Sequence, residues 1–158
     1  MESLSPARDY FDEVRNAALE LERTTMQLEA LRLHATDSGD QFAPKVSATP
    51  NDIDGSSKIA SRMDRRAQLE ERHRRYSRVL QAAWNVVYEN NGGGIARGVS
   101  DQVADAVWMR SIMGCKWQAV AAELMCSVPT AQGLYDAAMD YLDSVGLERS
   151  GIPIVSQL

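Results

Sequence analysis

Histidine and cysteine are scarce in this sequence, two of each in 158 residues. His34 and His73 stand far apart, and with Cys115 and Cys126 they do not assemble into zinc-ligand spacing. A reduced pair of thiols filling space is the expectation for the two cysteines. No apolar run approaches the roughly 18 residues of a membrane span. The start, MESLSPARDYF, has neither a basic opening nor an apolar stretch, so a secretory leader is not expected and a cytoplasmic location is. No Gly-x-Ser-x-Gly pattern occurs, and no carboxylate pair sits in an evident pocket, so neither an enzyme nor a cofactor is expected. Asp136 and Asp140, four apart, read as a solvated helix face. The segment GGGIARG lacks the Gly-Lys-Ser/Thr ending of a phosphate loop and no strand precedes it; residues 91–98 read as a flexible hinge.

What remains is a composition for helices: 44% apolar and 25% charged, with two Phe against many Ala and Leu. The net charge of −5 is distributed unevenly. Residues 1–55 carry −6, residues 56–90 carry +4, and residues 99–158 carry −4. Only the middle has the electrostatic character of a nucleic-acid binder.

Ser5-Pro6 predicts a helix start, with Ser as N-cap and Pro in the first turn. Phe11, Val14, Ala18, Leu21, Thr25 and Leu28 follow in steps of three and four, a heptad seam that predicts a coiled coil running to Leu33 or Ala35. Residues 36–57 read as a loop, punctuated by Pro, Gly, Ser and Asp. Ser56 or Ser57 opens a second long helix with Ile59, Met63, Leu69, Tyr76, Leu80, Ala83, Trp84 and Val87 along one line, interrupted by Arg66 and His73. It stops before Asn90-Asn91-Gly92-Gly93-Gly94. An antiparallel hairpin over residues 1–90 is the expected packing. The basic run RHRRYSR then has two roles open to it: pairing with the acidic first helix, or phosphate contact through Arg72, Arg74, Arg75 and Arg78.

Ser100 caps a third helix that carries Val103, Ala106, Val107 and a core-filling Trp108, and ends at Gly114. Val120, Ala121 and Leu124 form one face of a short helix, and Met125-Cys126 make a break. Ser127 caps a helix with Ala131, Leu134, Ala138 and Leu142 in line, stopped by Gly146. Residues 99–146 thus predict a three-helix domain containing a helix-turn-helix, followed by the tail 147–158. The fold class expected is all-α.

The stretch Met109-Arg110-Ser111-Ile112-Met113-Gly114, then Trp117, Val120-Ala121, Leu124, Ser127, Ala131, Leu134, Ala138 and Leu142, resembles phage and prophage regulators of the ArpU and RinA kind. Their C-terminal part is similar to region four of sigma-70 factors. The resemblance extends to the long N-terminal helix, the loop with Val46-Ser47 ahead of Asp52, and the second long helix from Ile59. It implies a DNA-binding transcriptional regulator without catalytic residues, acting as a homo-oligomer. The second helix of the motif would enter the major groove, with Ser127, Thr130 and Gln132 near base edges, Gln132 suited to adenine, and Lys116 and Gln118 on the backbone.

Some residues oppose that implication. No Lys or Arg occurs from Ser127 to Leu142, while Asp136, Asp140 and Asp143 do, and acids beside a phosphate backbone weaken binding. Val128 precedes Pro129, which disfavours a helical Val128. Gly133 costs the helix about 1 kcal/mol relative to Ala. Two other readings therefore stand beside DNA binding: a protein-interaction module that docks on RNA polymerase or another phage protein, and a small terminase-like packaging subunit.

Overall fold

In the computed structural model, which describes residues 5–41, 52–88 and 94–146, every element is helical and no strand occurs among the described residues. The first helix begins where Ser5-Pro6 predicts. α1 spans Pro6–Gln41. The Arg8 N–H lies 3.4 Å from Ser5 Oγ, long for a cap bond. A second acceptor completes the first turn: Asp143 Oδ1 takes the Ala7 N–H at 2.9 Å, and Asp143 Oδ2 takes the Ser5 hydroxyl at 2.6 Å. The unpaired donors of this helix start are thus shared with a carboxylate from far along the chain.

α2 spans Asp52–Tyr88. Both long helices run further than the loop expected over residues 36–57 allows. Residues 36–41 continue α1, and residues 52–57 belong to α2. The physical reason is that extending a nucleated helix fixes one residue per hydrogen bond gained, so even Ser, Thr, Gly and Asp are carried along. Residues 42–51, with Val46-Ser47, lie outside the described residues, as do 91–93 of the expected hinge and the tail from 147.

The chain forms two compact units, residues 1–19 with 78–158, and residues 20–77. This division differs from an N-terminal hairpin of residues 1–90 followed by a separate domain. The first turns of α1 and the last turns of α2 belong with the C-terminal helices, because their apolar faces enter that core. Ala7, Tyr10, Phe11, Val14 and Ala17 are buried there, with Val79, Ala83, Val86 and Val87.

Within residues 20–77 the apolar lines are thinner. Thr24 and Leu69 are buried, and Leu21, Leu28, Leu31 and Tyr76 are half-buried. Along α1 the buried line is Tyr10, Val14, Ala17, Leu21, Thr24, Leu28 and Leu31. Its register passes through Ala17 and Thr24 rather than Ala18 and Thr25. Thr24 tolerates burial because its hydroxyl donates to the Glu20 carbonyl at 2.6 Å. His73 does not interrupt the α2 line but sits half-buried within it, whereas Ile59 and Met63 are exposed.

The larger unit continues with a single helical turn, α3 (Ile95–Gly98), then α4 (Asp101–Val107), α5 (Trp117–Glu123) and α6 (Val128–Val145). The segment expected to be a hinge is therefore partly built: Ile95 is fully buried, and α3 packs on α4 and α6. Ser100 caps α4 as its position predicts, accepting from the Val103 N–H at 3.2 Å. After Val107 the backbone widens into a π turn, Trp108–Ile112. The Met113 N–H reaches back to the Trp108 carbonyl at 3.1 Å, and the Cys115 N–H to the Met109 carbonyl at 3.0 Å. Gly114 ends the helix with φ 71°, a left-handed value that costs glycine little. Trp108, expected in the core, is half-buried; it meets Trp84 edge-on at 4.9 Å, and Tyr88 lies alongside.

Candidate nucleic-acid interface

α5 and α6 are two helices joined by a four-residue link, Leu124–Ser127. Met125 takes φ 51°, and the Cys126 N–H then closes on the Ala121 carbonyl at 3.0 Å, so the chain turns where Met125-Cys126 predicts a break. Ser127 caps α6: its Oγ accepts from the Thr130 N–H at 3.3 Å and lies 2.8 Å from Thr130 Oγ1. Val128 is helical despite the following proline. Pro129 occupies the first turn, where no intrahelical N–H is required, and that local fit outweighs the bias against a helical residue before proline. Gly146 ends α6 with φ 78°.

The inner faces of the pair bury Ala106, Val120, Ala121, Leu124 and Ala131 together, with Trp117, Cys115, Cys126, Val128 and Leu134 packed around them. The small side chains at Ala121 and Ala131 allow the two helices and α4 to approach closely. Both cysteines are free and half-buried.

The outer edge is open. Lys116, Gln118, Ser127, Thr130 and Gln132 are exposed, as are Pro129 and Gly133. Lys116 stands at the start of α5, where its carbonyl accepts from the Ala119 and Val120 N–H groups. Of these side chains, Ser127 and Thr130 bond to each other, and those of Lys116, Gln118 and Gln132 make no hydrogen bond among the described residues. The structure thus gathers the five α5–α6 candidates within one unit. Arg72, Arg74 and Arg75 belong to residues 20–77, and Arg78 to the larger unit; all four are exposed. Arg74 pairs with Glu71 at 2.9 Å.

The acids of α6 are exposed, and two of them also have partners on α1. Asp136 pairs with Arg8 at 2.7 Å, and that bond raises the Arg8 pKa further, with Asp140 adding to the attraction. Asp143 caps α1. Asp136 and Asp140 are exposed, as expected of a solvated face, and Asp136 and Asp143 also meet α1 from it. Sequence reasoning missed these partners because an isolated Arg in an amphipathic helix carries no signal of what it meets.

Among the described residues, no group of three His, Cys, Asp or Glu side chains is placed to hold a metal ion, and no helix is long and apolar enough to cross a membrane. Comparison with protein-family models, with curated proteins and with solved structures returns no match.

Proposed function

We propose that the chain is a DNA-binding transcriptional regulator of the phage type, with α5 and α6 acting as a helix-turn-helix of the sigma region-four kind. The observation that carries this reading is the open, Ser127-capped first turn of α6, whose Thr130 and Gln132 are exposed while Asp136 and Asp143 are engaged with α1. A helix start free of acidic side chains suits a groove lined by phosphates. Gln132 reads adenine, Thr130 reaches a base or phosphate, and Lys116 and Gln118 hold the backbone. Arg72, Arg74, Arg75 and Arg78 add sequence-independent attraction. The long helices pair as a hairpin and carry the homo-oligomer, a role supported by exposed Met26, Leu33, Ile59 and Met63.

Fluorescence anisotropy on a mixed pool of duplexes tests the reading. Binding that weakens steeply with salt is expected, as is loss of selected sites in Gln132→Ala, whose exposed side chain makes no hydrogen bond among the described residues. Absence of binding to any duplex at low salt would overturn it. A second reading, docking on RNA polymerase or another phage protein, is favoured by Met125, 92% exposed at the turn. Capture of the polymerase that Met125→Ser abolishes, with no duplex binding, would replace the first reading.

A further inference from the structure

Between the first turns of α1, the π turn and α6 lies a cleft of about 430 Å³, within the few-hundred-Å³ range that small ligands occupy. Arg8, Arg15 and Arg110 line it, against a single lining carboxylate, Asp12. Arg8 is neutralised by Asp136. Arg15 and Arg110 are not: among the described residues no carboxylate lies within 4.0 Å of either guanidinium. Each is instead held by a backbone carbonyl. Arg15 Nη1 donates to the Ile112 carbonyl at 2.7 Å, and Arg110 Nη1 donates to the Cys115 carbonyl at 2.9 Å.

A carbonyl fixes a guanidinium without cancelling its charge, and it uses one of five N–H donors. Arg110 is further oriented by stacking 4.8 Å above the Trp117 ring. The Arg15 guanidinium lies against Gly114, in the space that a Cβ at that position would take. Two half-buried cations are thus pre-oriented on one cleft, beside the Ser111 and Tyr135 hydroxyls, which sit 3.1 Å apart. The π turn supplies Arg110 and Ser111 to this wall, a backbone irregularity often found at functional sites.

We propose that this cleft binds a small-molecule anion through a phosphate or carboxylate head. Arg15 and Arg110 supply the planar N–H forks that match either group, and the Ser111–Tyr135 pair donates a hydroxyl. Capping of the two carbonyls alone would not need the open cleft that both side chains line.

Calorimetric titration of the full chain with inorganic phosphate, with acetate and with chloride at matched ionic strength tests this. Saturable binding of phosphate or acetate is expected, with no response to chloride. Phosphate alone binding identifies a phosphate-bearing ligand, and acetate alone a carboxylate-bearing one. Arg15→Gln and Arg110→Gln should each weaken binding about tenfold, the loss of one charge-assisted bond. Should either Gln variant fail to fold, Arg15→Lys and Arg110→Lys keep the charge but lose the fork, and an intermediate affinity is expected. Equal response to chloride, or binding that the Lys and Gln variants leave intact, overturns the proposal. So does the absence of anion binding together with weaker duplex binding in Arg15→Gln, which would reassign the cleft to a DNA-backbone contact. The titration contains no DNA, so its result stands whether or not the chain reads a duplex.

Discussion

The two ends of α6 differ in almost every respect. Its first turns, from Ser127 to Gly133, are exposed apart from half-buried Val128 and buried Ala131, and the Ser127 and Thr130 hydroxyls bond to each other. Its later turns bury Ala138, Met139 and Leu142 completely and hold the start of α1 through Asp136 and Asp143. One helix thus serves stability at one end and presents an unused polar edge at the other. The lesson is that a helix cannot be judged by its summed charge. The acids that argue against nucleic-acid binding sit at the end that builds the fold.

Substitutions at the two ends should separate cleanly. Met139→Ala, in the fully buried half, should cost about 2–5 kcal/mol, measured by urea unfolding. A cost below 1 kcal/mol would show that this half does not anchor the domain. Asp143→Ala removes the acceptor from α1 and should cost about 1 kcal/mol, with faster amide exchange at Ala7 as the local signature.

At the open end the sign reverses. A Cβ added at Gly133 meets nothing within 4 Å, so Gly133→Ala should raise stability by about 1 kcal/mol. If thermal unfolding shows a loss instead, this edge is not free in solution.

The α1 segment held by the acidic end of α6 should respond to alkali. Burial raises the Tyr10 hydroxyl above its ordinary value, and the hydroxyl has no hydrogen-bond partner among the described residues. Tyr88 is raised by burial and by its bond to Asp105 at 2.8 Å. The fold therefore favours both protonated phenols. That contribution is full below about pH 10 and is lost as the pH rises through the folded values. Tyr10→Phe with Tyr88→Phe should flatten the alkaline fall in the urea midpoint; an unchanged fall would place its origin elsewhere. The smallest effect belongs to Arg8 and Asp136, whose side chains are 46% and 58% exposed. A double-mutant cycle should give a coupling below about 1 kcal/mol, and a larger value would mean the pair is shielded from solvent.

Much of this molecule is legible residue by residue. The caps at Ser100 and Ser127, the breaks at Met125 and Gly114 and the stop at Gly146 fall where the sequence places them. So do the buried faces of α5 and α6 and the exposure of Thr130 and Gln132. The register through Ala17 and Thr24 was not legible, because neighbouring apolar positions on an amphipathic helix differ only in what covers them. The cleft arginines were not legible either, since their partners are main-chain carbonyls that every residue possesses.

The sequence by itself determined the start of α1, the caps and stops of α4 to α6 and the polar edge of α6, because capping, turn formation and helical periodicity depend on residues within a few positions of one another. Only the tertiary structure decided that α1 begins inside the C-terminal core and that the acids of α6 serve it. Those bonds join residues 128 and 136 positions apart. Which charge meets which at such a separation is settled by how buried apolar faces close on each other, and local pattern carries no record of that choice.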